Sequence, residues 1–293
     1  MHVPVVRMPE ASMDSARQPV SVKTIFADEL EGYLRGLREE DFVLVDVREP
    51  EEYKAGHIPG ARLIPLREIE QRLHELDPRK EVILYCSVGG RSRAAAAFIA
   101  DSGLSPRAVT NLKGGYLAWD GKPLQGFPRT RAFRKAATPA EILENAVDLE
   151  KGAWRFYAAV VRRFPDSPFA RAAETLTGME RAHARVAFEY LKKASGDRSW
   201  PPFDAYFDVL SGELLEGGEP LEEALKRLET LPLNRCSAFA ELALDIESKA
   251  YDLYRNLAAE LRDPEAQRAF LALAEQEKGH LRLLARVFNK CGD

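Results

Sequence analysis

Two groups of side chains in this sequence are placed to do chemistry. Cys86 closes the apolar run EVILYC (81–86) and is followed by Ser87, Val88, Gly89, Gly90, Arg91 and Ser92, after which an alanine block begins. Further on, Glu180 with His183 and Glu277 with His280 share a Glu-x-x-His spacing, while Glu150 with Tyr157 and Glu247 with Tyr254 share a seven-residue spacing. A thiol at the mouth of a glycine loop points to nucleophilic sulfur chemistry. Carboxylates and imidazoles one helical turn apart point to a bound metal.

The cysteine loop has a physical logic. A strand ending at Cys86 and a helix beginning near Ser92 turn the intervening N–H groups around the sulfur, at the positive end of the helix dipole. Such surroundings favour the thiolate, which is the nucleophilic form. Gly89 and Gly90 supply backbone angles that aim several N–H groups inward, and Arg91 adds a positive charge where an anionic substrate or a persulfide would sit.

The second group hides a repeat. Glu247, Tyr254, Glu277 and His280 each lie 97 residues after Glu150, Tyr157, Glu180 and His183, the shift expected of two related helix hairpins. Glu at i and His at i+3 stand on one helix face, and a Tyr seven residues beyond a Glu lies two turns along the same face. A helical glutamate alone reads as solvated surface, but four inward carboxylates are costly unless compensated. Two divalent ions would balance them. Two Glu-x-x-His helices with two single-Glu helices make the ligand set of carboxylate-bridged di-iron sites, and oxygen plus imidazole ligands suit iron, with manganese as the alternative.

The elements that position these residues divide near residue 130. Before it, FVLVDV (42–47), ARLIP (61–65), EVILYC (81–86) and RAVTNL (107–112) read as strands, alternating with helical patterns at 27–36, 66–76 and 91–103. This alternation predicts a mainly parallel sheet covered on both faces. After it, four long amphipathic segments are expected near 139–163, 168–194, 235–262 and 264–290, with a long connection at 195–234 holding a short helix around 219–230; this is a four-helix bundle with one crossover. The expected parts are an N-terminal lead (1–19), an α/β domain (20–128), a basic linker (129–137) and an all-α domain (138–293), with the linker marking where two separately folding units meet.

Composition excludes several classes. The net charge of −4 over 293 residues suggests no nucleic-acid surface, no apolar run reaches membrane-span length, and the first residues lack a secretory pattern. Three widely separated cysteines, Cys86, Cys236 and Cys291, argue against a disulfide scaffold or a paired-cysteine metal site. Cys236 reads as a packed small residue and Cys291 as an incidental thiol. A cytoplasmic location is expected.

Residues 20–128 resemble the rhodanese family of single-domain type, on VDVREPEEYKAGHIPGA (45–61), YCSVGGRSRAAAA (85–97) and LKGGYLAW (112–119), which occur in the family's order and spacing. The resemblance implies that Cys86 accepts sulfane sulfur as a persulfide and passes it to a thiol, with residues 87–92 as the substrate loop. It assigns Asp46 and Arg48 to supporting charge positions, while His57 shapes a turn. Related phosphatases place an arginine six residues after the cysteine. Here Ser92 holds that position and the arginine falls at Arg91, a tighter loop that suits sulfur. Thiosulfate, a glutathione-type persulfide and a protein persulfide all remain open as donors.

Residues 138–290 resemble the ferritin-like superfamily, rubrerythrin type. That resemblance implies an all-α ferritin-like bundle in which Glu150, Glu180, His183, Glu247, Glu277 and His280 hold two iron ions, backed by Tyr157 and Tyr254. It implies oxidase or peroxidase chemistry with oxygen or peroxide and an external electron donor, since no paired-cysteine module is present. A further carboxylate beside Glu247 is not evident, because Leu244 and Ala250 are apolar. The whole reads as a multi-domain chain, a sulfurtransferase fused to a di-iron bundle, with a homodimer as one arrangement. The alternative is a sulfur relay or an oxidant or metal sensor, whose bundle is a scaffold without turnover.

Overall fold

The computed structural model describes residues 21–133, 138–232 and 236–291. The expected lead (1–19) and linker residues 134–137 lie outside the described residues. Five parallel strands form one sheet in the order β1-β5-β4-β2-β3: β1 (Val22–Phe26), β2 (Phe42–Asp46), β3 (Arg62–Leu63), β4 (Glu81–Tyr85) and β5 (Ala108–Lys113). β4, central and buried throughout, has the near-continuous apolar run of a strand covered on both faces. Val45, Val82 and Leu84 pack on one face against Ala95, Ala96 and Ile99 of α3 (Gly90–Asp101). Phe42, Leu44, Ile83 and Tyr85 pack on the other with Leu30 of α1 (Leu30–Arg35) and Tyr53 of α2 (Pro50–Ala55).

Three local expectations differ. The segment 66–76 forms only short 3-10 turns at Leu66–Glu68 and Leu73–Glu75. Its Ile69 and Leu76 are buried all the same, so the apolar spacing reported burial rather than a helix. Strand β1 and helix α2 were not foreseen; β1 lies at the sheet edge, with Phe26 half exposed.

The helical half follows its pattern closely. Thr138 caps α5 (Pro139–Arg163) by accepting from Glu141 N, with Glu141 returning the bond and Pro139 opening the helix. α6 (Ala170–Ala194) pairs with α5, and α9 (Cys236–Glu260) pairs with α10 (Pro264–Phe288), which Asp263 caps. The crossover carries α7 (Phe203–Val209) and α8 (Leu221–Glu229), of which only α8 was expected. The short helix α4 (Gly115–Ala118) belongs to the sheet half. Among the described residues no helix is long and apolar enough to cross a membrane.

The reading of the cysteines needs correction. Cys236 and Cys291 form a disulfide, with Cα atoms 5.3 Å apart. Two antiparallel helices of equal length bring the start of one beside the end of the other, so distance in sequence was no guide.

The two halves meet through buried polar contacts. Asp252 of α9 accepts from Gly60 N at 2.8 Å and lies 3.3 Å from His57 Nε2. Arg255 donates to Glu39 O at 2.7 Å and Phe42 O at 3.2 Å and pairs with the Glu39 carboxylate at 3.0 Å. Lys278 of α10 joins the same carboxylate at 2.8 Å, and Tyr251 donates to it at 3.1 Å. Phe133, within the expected linker, is buried in the bundle core edge-on to Phe270.

Candidate functional site

Cys86 lies at the carboxyl end of β4, nearly fully buried. Its sulfur accepts from Gly89 N at 3.1 Å, and Ser92 Oγ stands 3.6 Å away while donating to Asn111 Oδ1 at 2.7 Å. Burial pushes the thiol up, but the Ser92 hydroxyl and the N–H groups of Ser92, Val88 and Gly89 outweigh it and leave the pKa lowered. Gly89 has φ +98°, where a side chain would be strained and would crowd Leu112 O. Gly115 lies so close beneath the loop that a Cβ would overlap Cys86 O. The backbone there holds the loop, Tyr116 N donating to Cys86 O at 2.8 Å and Leu117 N to Ser87 O at 3.0 Å. Val88 stands 64% exposed at the mouth.

Arg91 does not offer a free charge. Its Nη1 and Nη2 donate to the two oxygens of Glu52, each at 2.7 Å, and Nη2 also reaches Ser87 Oγ at 2.9 Å. Ser87 in turn donates to Glu52 at 2.8 Å. The Arg91 guanidinium holds the Glu52 carboxyl down to about 2. Glu52, in the first turn of α2, was not singled out in the sequence, where nothing ties this glutamate to Arg91, 39 residues on. Asp46 and Arg48 form a buried pair at 2.7 Å that also reaches Gly56 O, with the guanidinium 4.1 Å from the Tyr116 ring centroid. They brace the strand ends and the Gly56 turn. His57 is buried, stacked on Tyr53 at 3.8 Å, with its backbone paired to Leu124.

The bundle brings all six expected ligands inward. Glu150, Glu180, Glu247, Glu277 and His280 are fully buried and His183 nearly so. Single ligand atoms of Glu180, His183, Glu277 and His280 all lie within 4.8 Å of one another, as do those of Glu150, Glu180, Glu216 and Glu277. The histidine rings stack with centroids 4.4 Å apart. His280 Nδ1 lies 2.7 Å from Glu247 and 3.1 Å from Glu277, while His183 Nδ1 lies 3.1 Å from Glu277 without a well-directed bond. The tyrosines cross between helices: Tyr157 donates to Glu247, and Tyr254 donates to Glu150 at 2.7 Å.

These residues fit a metal. Twelve buried side-chain polar atoms among the described residues lack a hydrogen-bond partner, and nine belong to Glu150, Glu180, His183, Glu216, Glu277 and His280. Buried polar atoms are ordinarily paired, so this concentration marks a place shaped for a charged guest. Burial pushes Glu180 and Glu216 well above the usual carboxylate range. Glu216 was missed. It lies in the crossover, outside any helical periodicity, and its only signal is an acid held between Leu214-Leu215 and Gly217-Gly218.

A cysteine loop at the end of a parallel strand, joined to a carboxylate-lined helical bundle, makes a two-part chain with a candidate sulfur site and a candidate metal site. Residues 29–122 match the family model for the rhodanese-like domain, and residues 238–293 match that for rubrerythrin. The chain belongs to the rhodanese family and carries a rubrerythrin-type helical domain behind its sheet. It is 43% identical over 96 residues to the uncharacterized protein YqhL of Bacillus subtilis, covering 30% of this chain and 75% of YqhL. It is 40% identical over 80 residues to a sulfurtransferase of Allochromatium vinosum (27% of this chain, 73% of that one). It is 33% identical over 84 residues to the thiosulfate sulfurtransferase GlpE of Pseudoalteromonas translucida (29% and 78%). These likenesses support a sulfurtransferase in the sheet half and a di-iron fold in the helical half.

Proposed function

We propose that Cys86 is the nucleophile of a sulfurtransferase, and the observation that carries this is the Gly89 N–H donating to its sulfur from a loop that curls around it, with Ser92 Oγ 3.6 Å away. The Cys86 thiolate attacks the outer sulfur of a sulfane donor such as thiosulfate. A new S–S bond forms as the donor's breaks, and sulfite leaves with the electron pair. An acceptor thiolate then attacks the terminal sulfur of the persulfide, departs as a persulfide itself and returns Cys86 to thiolate. Residues 87–92 hold the transferred sulfur within reach of backbone N–H groups, and Glu52 fixes Arg91 so that the loop keeps its shape. Relatives named as sulfurtransferases support this reading. Replacing Cys86 by Ser and following thiosulfate-dependent thiocyanate formation tests it; retained turnover ends it.

In the bundle, Glu150, Glu180, His183, Glu247, Glu277 and His280 are proposed to hold two metal ions, iron before manganese. Iron bound there would supply one-electron chemistry toward oxygen or peroxide, with electrons from an external donor. The chain's own part is to exclude water, to set four carboxylates and two imidazoles around one space, and to steady Glu247 and Glu150 through Tyr157 and Tyr254. Anaerobic reconstitution with ferrous iron and elemental analysis decide: fewer than about one ion per chain, with no spectral change on adding peroxide, defeats the reading.

One observation favours a second reading, a metal or oxidant sensor. α9 carries Glu247 and Tyr254 on one side, and on the other Asp252 and Asn256, which hold the turn before β3. Sulfur transfer that changes with metal loading, without turnover of peroxide, would select it.

A further inference from the structure

We propose that Glu216 is a fifth carboxylate ligand of the metal centre, supplied by the crossover loop rather than by a bundle helix. The inference rests on the reading of the cluster as a metal site and adds a residue to it. Glu216 is fully buried, neither of its oxygens has a hydrogen-bond partner among the described residues, and it shares the 4.8 Å grouping with Glu150, Glu180 and Glu277. A loop carboxylate normally stays in water, because burying it unpaired is strongly unfavourable. A cation shared with its neighbours removes that cost.

The loop is built to hold the side chain there. Leu215 N donates to Glu219 O at 2.8 Å, Gly218 N to Leu215 O at 2.7 Å, and Leu221 N to Glu213 O at 2.8 Å, closing a tight turn around Glu216. Gly218 has φ +70°, a conformation glycine adopts without strain. α5 makes room for it: a Cβ on Gly152, two residues after Glu150, would overlap the Leu214 carbonyl. A mid-helix glycine is otherwise unfavourable, so Gly152 is explained by the seat it leaves for the loop. On its outer side the loop is tied to the segment that joins the two halves, where Arg129 Nη1 donates to Gly218 O at 2.5 Å. The ligand that the α9 positions Leu244 and Ala250 do not provide thus arrives from the crossover.

The test uses the full chain, titrated anaerobically with ferrous iron, in wild type, Glu216→Gln and Glu150→Gln forms. Glu216→Gln is expected to bind one of the two ions more than tenfold more weakly, since losing even an outer partner of a ligand costs about 10–100-fold in affinity. Its metal-free form should melt at or above wild type, because an unpaired buried carboxylate is gone, while the rise in melting temperature on metal binding shrinks. Gly152→Ala, which leaves the carboxylate but displaces its loop, should weaken the same ion and serves if Glu216→Gln folds poorly. Both variants binding two ions with wild-type affinity and spectrum overturn the proposal, provided Glu150→Gln is impaired. If wild type itself binds no iron, the metal-centre reading fails first and Glu216 with it.

Discussion

Asp252, on a helix of the bundle, accepts the backbone N–H of Gly60 in the sheet half at 2.8 Å, with His57 Nε2 on its other oxygen. Both ends are buried, and the contact stands beside the Glu39 cluster of Tyr251, Arg255 and Lys278 in joining the halves. Asp252→Ala strands a buried donor and should cost about 1–3 kcal/mol. Calorimetry on the full chain would show a lower melting temperature or a split of one transition into two. An unchanged single transition would mean that this contact adds nothing to the junction.

Glu52 occupies the charge of Arg91. Glu52→Gln should therefore lower KM for thiosulfate while leaving KM for an uncharged donor unchanged. The pair is about one-third exposed, which limits the effect to a few-fold, the scale of surface ion pairs. Steady-state kinetics with both donors checks the difference.

The pH dependence of the loop has a defined sign. Glu52 is depressed from its ordinary 4.5 to about 2, so the Arg91 pairing stabilises fully above pH 4.5 and is lost as pH falls through about 2. The stability gap between wild type and Glu52→Gln should close toward pH 2 in acid unfolding curves.

Cys86 titrates below a free cysteine, so its alkylation rate should reach a plateau at lower pH than that of a peptide thiol. Ser92→Ala removes the hydroxyl near the sulfur and should move the midpoint upward. Iodoacetamide kinetics across pH 6–10 would show no shift if the backbone N–H groups alone hold the thiolate.

Reducing the Cys236–Cys291 bond opens a covalent loop of 55 residues. The chain-entropy argument puts its contribution near 4 kcal/mol. Cys236→Ser should melt well below oxidised wild type and close to reduced wild type; equal melting of all three would show that the bond adds nothing.

The candidate site residues were more legible than their supports. Cys86, the glycine loop and the two Glu-x-x-His pairs stood out because their spacing follows a strand end and a helical turn. The four long helices were found nearly to the residue, since each turns an apolar face into the bundle over 25 residues, α9 being buried on its other side as well where it meets the sheet half. Glu52 and Glu216 were invisible for one reason: what makes them matter is a partner brought close only by folding, Arg91 from α3 and Glu150 from α5. Cys236 and Cys291 failed likewise, their meeting being a property of the hairpin. The segment 66–76 shows the reverse error, an apolar spacing of three and four satisfied without a helix.

The crossed tyrosines make the bundle a chain paired with its own copy: Tyr157 serves the glutamate of the second hairpin, and Tyr254 that of the first. A duplicated hairpin would build such a centre, yet its outer surface has diverged. Tyr251 and Asp252, which dock the sheet half, correspond 97 residues earlier to Trp154 and Arg155. Trp154 instead meets Phe207 edge-on, and Arg155 donates to Gly212 O at 3.1 Å, so the crossover covers that face. Two equivalent surfaces have thus been taken by unlike tenants. The face that seats the sheet half on one hairpin is closed on the other by the chain's own crossover.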